Sequence, residues 1–239
     1  MERALRRERR GAFASSGRRL HTACTMSTAI VIGATGLVGK SLIQQLLADP
    51  AYSSVVALTR RATERRADKY QEHVVDFGRS HSYAEWLKGD VLFSALGTTR
   101  GQAGSVAAQR TVDYTYQFEV AKIAANQGVK TYVLVSSSGA SPSSLSAYMK
   151  MKGELERDVQ ALAFSSLHIL QPGLLTGARE QSRFGEAIAE PLLGVFNAIG
   201  LFRSMKPISG EQVARAMRRA ATLAGKRTHG PSDVFSLAE

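Results

Sequence analysis

Apolar residues occur in short blocks, separated by longer segments in which apolar positions recur every three or four residues. Six blocks of four to six residues predict β-strands, at residues 29–32, 55–58, 73–77, 91–96, 132–135 and 167–170. The helical period between them predicts helices, most clearly at residues 106–126 and 147–162, and a short helix is expected at residues 83–87. The strands lack regular alternation, which is typical of strands covered on both faces. The pattern therefore predicts an α/β fold with a doubly wound parallel sheet of the Rossmann-like kind.

The C-terminal third of the chain is patterned less clearly. Residues 174–207 show only fragments of a period, and we expect a small lobe on the substrate side there. A basic amphipathic helix is predicted at residues 211–224, and a last edge strand at residues 234–237. The longest apolar stretch, residues 187–202, is interrupted by Glu190 and is shorter than the ~18–20 apolar residues that cross a bilayer. No integral membrane segment is therefore expected.

The first 26 residues form a basic arm. They hold seven arginines and two glutamates, so +5 of the net charge of +11 lies in them. Because the arm lacks a helical apolar period, we expect a disordered leader before a single domain of residues 27–239 in a cytoplasmic protein. Met26 would then be a natural start of translation. The alternative is a mitochondrial transit peptide, which the arginines and serines favour and the two glutamates disfavour.

The rest of the composition narrows the class of partner. The remaining charge of +6 is scattered, without the basic and aromatic cluster of a single-strand binder, so no nucleic-acid partner is expected. The single cysteine, Cys24, excludes an intrachain disulfide, and no group of histidines and cysteines has metal-ligand spacing. A small-molecule substrate is the expected partner, and an oligomer is compatible with the sequence.

A glycine-rich segment follows the first predicted strand. Gly33, Gly36 and Gly39 are spaced G-x-x-G-x-x-G and open an amphipathic helix. Glycine permits a tight turn and a close approach of a phosphate to the backbone, and a helix N-terminus presents N–H groups to that phosphate. A purely structural turn is the alternative. The position between strand and helix favours a phosphate-binding turn.

Two arginines follow the second predicted strand. In NAD-binding folds an acidic residue at this position accepts hydrogen bonds from the ribose hydroxyls, but here Arg60 and Arg61 are present and the first acid is Glu64. A guanidinium binds a phosphate in a bidentate manner, so the pair indicates NADP(H) rather than NAD. The alternative is a solvated basic pair.

A tyrosine and a lysine lie four residues apart in the predicted helix 147–162. Tyr148 and Lys152 therefore share one face of that helix. A nearby ammonium favours the phenolate and would lower the pKa of the tyrosine, which suits Tyr148 to general acid–base catalysis. A serine after the fifth strand, among Ser136, Ser137 and Ser138, could hydrogen-bond a substrate carbonyl beside it.

Taken together, these residues resemble the short-chain dehydrogenase/reductase superfamily, whose marks are a glycine-rich first turn, a serine after strand five and a Tyr-x-x-x-Lys helix. The similarity is greater to an atypical branch that contains a human Tat-interacting oxidoreductase-like protein and a fungal mitochondrial relative. The matching segments lie within residues 28–180 and are residues 59–61, 75–77, 95–100, 103–104, 135–140, 148–154 and 171–175. The strand-four loop reads Leu-Gly-Thr-Thr-Arg instead of the Asn-Asn-Ala-Gly of standard members.

The resemblance implies a set of NADP(H)-binding residues. Those expected to hold the pyrophosphate are Gly33, Thr35, Gly36, Leu37, Val38 and Gly39. Those expected to contact the rest of the cofactor are Arg60 and Arg61 at the 2′-phosphate, Leu96 and Gly97 at the adenosine ribose, Leu174 or Leu175 at the nicotinamide, and Arg179 at the phosphates.

The resemblance also implies catalytic roles. Tyr148 would be the catalytic acid or base, Lys152 would bind the ribose, and Ser137 would polarise the substrate oxygen, with Ser138 the next choice. The expected function is NADPH-dependent reduction of a small carbonyl compound. The alternative is an NADPH-binding regulatory or interaction protein with little turnover. An epimerase or dehydratase with tightly held NAD is disfavoured by the arginines after strand two.

Overall fold

A seven-stranded parallel sheet organises the protein. The computed structural model describes residues 27–176 and 207–239. The strands of the main sheet are β1 (Ser27–Ile32), β2 (Tyr52–Thr59), β3 (Tyr70–Val74), β4 (Val91–Ser94), β5 (Thr131–Val135), β6 (Ser166–Leu170) and β9 (Lys226–His229), in the order β3-β2-β1-β4-β5-β6-β9. Every neighbouring pair in it is parallel. The predicted Rossmann-like fold is thereby confirmed.

Helices cover both faces of this sheet. They are α1 (Leu37–Ala48), α2 (Arg100–Ala103), α3 (Val106–Arg110), α4 (Gln117–Asn126), α5 (Ala147–Gln160), α6 (Gly210–Ala220) and α7 (Pro231–Ala238). Two short strands, β7 (Leu175–Thr176) and β8 (Ile208–Ser209), form a separate parallel pair. None of the helices within the described ranges is long and apolar enough to cross a membrane.

The central strand β1 shows why the strands lack alternation. Ala29 and Val31 pack into the core beneath α1, α6 and α7, whereas Ile30 and Ile32 pack into the core beneath α4 and α5. All four side chains are fully buried, so both faces of the strand select apolar residues.

The strand order reverses at β1. The chain adds β2 and β3 on one side of β1 and then returns to place β4 on its other side. The loops that leave the carboxyl ends of β1 and β4 therefore diverge and leave a crevice between them. In open parallel sheets this is where ligands bind.

Three sequence predictions need correction. The last strand was expected at residues 234–237, but these residues belong to α7, and β9 precedes it at Lys226–His229. Pro231 in the first turn and Asp233 favour a helix start. Strand β9 was missed because its four residues are polar and three of them are exposed, which an edge strand tolerates.

The other two corrections concern the other edge of the sheet. Strand β3 begins at Tyr70, earlier than predicted, and the helix expected near residue 83 is a pair of 3₁₀ turns, Ser80–Ser82 and Ala84–Trp86. These turns pack Tyr83 and Leu87 completely into the core, so the apolar signal was real although the segment is too short for an α-helix.

The predicted helix at residues 106–126 is interrupted by a π-helical turn. Helices α3 and α4 are joined through Thr111–Tyr116, which has π geometry, and α4 ends at Asn126, two residues before Gly128 with its φ of +86°. A π-turn adds a residue to one helical turn and re-aims the side chains within it. One of those side chains, Asp113, reaches the candidate active site.

Candidate active site

The glycine turn after β1 packs directly against the loop that leaves β4. Gly33 has a φ of +80°, and a Cβ there would overlap the backbone of Ala95 and Leu96. A Cβ at Gly39 would overlap the backbone of Gly33. Glycine is therefore required at both positions for the turn to close, because only glycine lacks the clashing atom.

Gly36 differs from the other two glycines. A Cβ there would meet only the carbonyl oxygens of Gly33 and Ala95, at 3.4 and 3.9 Å, which are acceptable contacts. Gly36 is also the N-cap of α1, and no side chain caps that helix. The first-turn N–H groups and an exposed glycine face the crevice, which fits a phosphate placed at the helix N-terminus.

The other residues expected around the pyrophosphate surround this turn. Thr35 and Leu37 are exposed, whereas Val38 is buried in the core beneath α1. Leu96 is half-buried at the end of the β4 loop, and Gly97 beside it is exposed. A Cβ on Gly97 would lie 3.3 Å from Asp113 Oδ1, so the β4 loop links the glycine turn to the π-helical segment.

The arginine pair lies at the carboxyl end of β2. Arg60 and Arg61 are exposed, and within residues 27–176 and 207–239 neither forms a salt bridge. Their positive charge is thus available to an anion at this edge of the crevice.

Tyr148 and Lys152 lie on the inner face of α5. The Lys152 ammonium is 5.9 Å from the centre of the Tyr148 ring. Tyr148 is half-buried, whereas the Lys152 side chain is only 4% exposed. The two residues that the sequence put on one helix face are therefore adjacent in the structure.

Lys152 forms a buried ion pair with Asp113. Its Nζ lies 2.9 Å from Asp113 Oδ1, and the Asp113 side chain is 1% exposed. Burial alone would lower the pKa of Lys152, but the Asp113 carboxylate, with help from Tyr148 and Glu156, raises that pKa above its usual value. Lys152 is therefore held protonated and in one position.

Asp113 also ties the β4 loop to the helices. Its Oδ2 accepts a hydrogen bond of 3.0 Å from the Thr98 N–H, and its backbone carbonyl accepts one of 2.9 Å from Gln117 Nε2. Ser94 Oγ at the end of β4 donates to Gln117 Oε1 at 2.6 Å, and Gln109 Nε2 donates to the Thr98 carbonyl at 3.2 Å. The buried polar groups thus satisfy one another, which makes the arrangement rigid.

Sequence reasoning did not identify Asp113. A signal was present, however, because Gln109, Asp113 and Gln117 recur every four residues and are buried. They continue the apolar stripe of α4 towards its N-terminus. Polar residues on the core face of an amphipathic helix indicate buried partners and so point to a site.

A second buried carboxylate lies one helical turn beyond Lys152. Glu156 accepts hydrogen bonds from Gln171 Nε2 at 3.0 and 2.9 Å, one to each oxygen. Burial raises the pKa of Glu156, while the Ser136 hydroxyl, Gln171 and Lys152 act in the opposite direction. The Ser136 hydroxyl faces Glu156 without forming a well-aligned hydrogen bond in the described part of the chain.

The three candidate serines continue the ladder between β5 and β6. The Ser136 N–H donates to the Leu170 carbonyl at 2.7 Å, and the Ser138 N–H donates to the Pro172 carbonyl at 3.0 Å. The Ser136 side chain is buried beside Glu156 of α5. Ser137 and Ser138 are half-buried and begin a turn, which the Ala140 N–H closes by donating to the Ser137 carbonyl at 3.1 Å.

Gly153 lets the serine loop approach α5. A Cβ at this position would overlap the backbone of Ser141 and Pro142, and the Ser141 N–H donates to the Met149 carbonyl at 3.1 Å. The loop that carries the serines and the helix that carries Tyr148 are therefore fixed to each other by backbone contact.

The structure describes only some of the residues that are expected near the nicotinamide. Leu174 is half-buried and its carbonyl accepts a hydrogen bond from Ile208, whereas Leu175 in β7 is 37% exposed. Arg179, residues 1–26 and most of the expected lobe lie outside the described residues. Within the described ranges, histidine, cysteine, aspartate and glutamate form no group that could hold a metal ion.

The fold and the glycine turn define an NAD(P)-binding protein of the Rossmann type, and comparison with known proteins agrees. A family model described as NAD(P)H-binding matches residues 33–222. Protein fmp52, mitochondrial, of Emericella nidulans is 36% identical over 208 residues, which are 84% of this chain and 88% of that protein. Protein FMP52, mitochondrial, of Candida albicans is 38% identical over 196 residues, covering 80% and 85% of the two chains.

Solved structures share the fold at low sequence identity. MoeE5 in complex with UDP-glucose and NAD has a TM-score of 0.64 at 18% identity and covers 88% of this chain and 80% of that chain. UDP-glucose 4-epimerase of Thermotoga maritima has a TM-score of 0.64 at 14% identity, with coverage of 88% and 81%. The chain belongs to the NAD(P)H-binding family, in the atypical short-chain dehydrogenase/reductase branch that includes the FMP52 proteins.

Proposed function

We propose that the protein is an NADP(H)-dependent oxidoreductase that reduces a small carbonyl compound. The observation that carries this proposal is that Lys152, next to Tyr148, is fixed by its 2.9 Å ion pair to Asp113, which is hydrogen-bonded to the β4 loop beside the crevice. An acid–base residue next to a fixed cation, beside a dinucleotide-binding turn, is the arrangement that hydride transfer with protonation requires.

The preference for NADP(H) over NAD is supported by Arg60 and Arg61. Both are exposed at the tip of β2, and no acid of the described residues pairs with them. Structural neighbours such as MoeE5 are named as complexes with NAD, and at 18% identity they inform the fold rather than the cofactor.

Each residue then has a distinct role in the proposed mechanism. When bound, the nicotinamide supplies the hydride. Tyr148 donates its phenolic proton to the carbonyl oxygen, and a serine hydroxyl hydrogen-bonds the same oxygen. Lys152 binds the ribose hydroxyls, and its charge stabilises the phenolate that remains after proton transfer. Asp113 keeps Lys152 in place.

Ser137 is the proposed polarising hydroxyl, with Ser138 as the next choice. Both are half-buried after the carboxyl end of β5, whereas Ser136 is buried beside Glu156. Ser137→Ala should therefore lower kcat more than Ser138→Ala. Equal or opposite effects, with both variants folded, would favour Ser138 instead.

The central experiment is a comparison of wild type with Tyr148→Phe. NADPH oxidation is followed with a panel of aldehydes and ketones, and the variant should lose about 100-fold or more of the wild-type rate. Tyr114→Phe is the matched control, since the Tyr114 hydroxyl donates a 2.6 Å hydrogen bond to Asp158 and so is already engaged elsewhere. Turnover that survives in Tyr148→Phe contradicts the catalytic assignment. NADPH binding without turnover of any substrate by wild type favours the regulatory alternative.

Calorimetric titration tests the cofactor preference. Wild type should bind NADPH more tightly than NADH, and Arg60→Ala/Arg61→Ala should weaken NADPH binding about tenfold or more without changing NADH binding. Arg79→Ala serves as a control, because Arg79 is exposed and pairs with Asp76. Tighter binding of NADH by wild type would overturn the arginine argument.

We also propose a mitochondrial location in place of the expected cytoplasmic one. The support is that the FMP52 relatives are named mitochondrial and that residues 1–26 are rich in arginine. A C-terminally tagged full chain should colocalise with a mitochondrial marker, and the same chain started at Met26 should not. Identical diffuse staining of both would refute this location.

A further inference from the structure

The backbone that carries the arginine pair is held by two anchors, one at the residue after β3 and one on β3 itself. At one end, the Val75 N–H donates to the carbonyl of Thr59, the last residue of β2, at 2.8 Å. At the other end, Thr63 donates from both its N–H and its Oγ1 to Glu72 Oε2, each at 3.0 Å. Only three residues, 60–62, lie between the anchors, so the backbone that carries both arginines spans a fixed gap.

The crossover in which this span lies has no helix to hold it. Strands β2 and β3 are parallel, so residues 60–69 must return along the length of the sheet. At the far end, Lys69 Nζ donates to the carbonyls of Asp49 and Tyr52 at 2.6 and 2.9 Å. The contact between Thr63 and Glu72 is therefore the attachment nearest to the arginines on the C-terminal side.

We propose that Thr63 and Glu72 are positioning residues that set the selectivity for the 2′-phosphate by fixing the span of Arg60 and Arg61. This inference rests on the proposed NADP(H) preference. Ordering the backbone before the ligand arrives removes part of the entropy that binding would otherwise lose. Two guanidinium groups on a fixed span can then bind one phosphate together.

Because Glu72 is negatively charged, the direction in which its removal changes NADPH affinity tests this role. Glu72 brings a carboxylate close to the site proposed for a phosphate, where charge alone would disfavour it. Its other oxygen, Oε1, is buried and has no hydrogen-bond partner within the described residues. If Glu72 acted only through its charge, its removal would tighten NADPH binding. If it acts by holding Thr63, its removal weakens that binding.

The experiment measures NADPH and NADH affinity by calorimetry for four variants of the full chain. Glu72→Ala removes the acceptor, and Thr63→Val removes the hydroxyl while keeping the N–H donor. Both should weaken NADPH binding about fivefold, the usual scale for the loss of one ordinary protein hydrogen bond, with NADH binding unchanged. Thr63→Ser and Glu72→Gln keep the donor and the acceptor and should retain at least half of the wild-type NADPH affinity.

Gln71→Ala is the control on the same strand. Its side chain is exposed, and among the described residues it makes a single 3.4 Å hydrogen bond, to Ser54 Oγ. Thermal unfolding without ligand checks that the variants fold, and Thr63→Val carries the test if Glu72→Ala does not. Wild type that prefers NADPH, together with unchanged or tighter binding in Thr63→Val and Glu72→Ala, overturns the positioning role alone. Wild type without a preference for NADPH overturns the cofactor proposal and this inference with it.

Discussion

The two halves of the sheet differ in the burial of their polar side chains. Ten polar or charged residues are buried in the described part of the chain, and nine of them lie on or over the half formed by β4, β5, β6 and β9. They are Ser94, Gln109, Asp113, Gln117, Ser136, Lys152, Glu156, His168 and His229. The half formed by β1, β2 and β3 buries only Thr59 and exposes the arginines instead.

The two halves therefore differ in whether their charged groups find partners during folding or on ligand binding. On the half formed by β4, β5, β6 and β9, the proposed catalytic half, ionised groups are desolvated and paired as the protein folds, so their geometry is fixed before a ligand arrives. On the half formed by β1, β2 and β3, the proposed nucleotide half, glycine backbone and solvated cations remain available, and their best partner is an anionic ligand. Substitutions on the proposed catalytic half should therefore affect stability and activity together, and substitutions of exposed residues on the proposed nucleotide half chiefly binding.

The largest effect is expected from Asp113→Ala. It leaves Lys152 buried without its counter-ion and should lower the free energy of unfolding by about 3–5 kcal/mol and abolish turnover. Chemical denaturation of the apo protein measures the first effect. Asp113→Leu/Lys152→Met, which removes both charges, should recover most of the stability but no turnover. A loss below about 1 kcal/mol in Asp113→Ala would show that the ion pair is not desolvated as the geometry indicates.

A smaller effect on stability should distinguish substitutions at two glycines of the same turn. Gly33→Ala forces a Cβ into the Ala95–Leu96 backbone at a φ of +80° and should destabilise the apo protein by about 1–3 kcal/mol. In Gly36→Ala the added Cβ meets only the Gly33 and Ala95 oxygens, at 3.4 and 3.9 Å, so this variant should leave the apo melting temperature almost unchanged while weakening NADPH binding. Equal melting temperatures for the two variants would contradict this division.

The smallest effect concerns two buried histidines at the edge of the catalytic half. His168 Nδ1 and His229 Nε2 are 3.1 Å apart, and His168 Nε2 is 3.1 Å from the Leu223 carbonyl. Burial lowers the pKa of His168, and burial together with His168 and Arg227 lowers the pKa of His229. Below the ordinary value of 6.5 the unfolded chain therefore binds more protons than the folded one.

The histidine pair should make stability depend on pH. The free energy of unfolding should fall by about 1 kcal/mol as the pH drops from 7.5 to 5.5, and denaturation at both pH values measures it. His168→Phe/His229→Leu should remove most of this slope, and His73, whose pKa burial also lowers, supplies the remainder. A slope that is unchanged in the double variant would assign the pH dependence to other groups.

Local patterns predicted those parts of the fold in which buried side chains decide the structure. Strands β1, β4, β5 and β6 were located because both of their faces require apolar residues. Prediction missed β9 and misplaced the bounds of β3, since an edge strand is defined by its hydrogen-bonded neighbour and not by its own hydrophobicity. Part of the candidate site was also predictable from a local pattern, because Tyr148 and Lys152 lie one turn apart on the same helix.

The sequence by itself determined the class of fold, the glycine turn, the arginines at the tip of β2 and the tyrosine–lysine pair, because each depends on neighbours within a few residues. Only the tertiary structure decided the partner of Lys152, since Asp113 is 39 positions away and turns inward through a π-helical segment. The same holds for Glu72, which reaches Thr63 across a crossover without a helix. A contact between distant segments depends on how the strands are ordered in the sheet, and that order cannot be inferred from local periodicity.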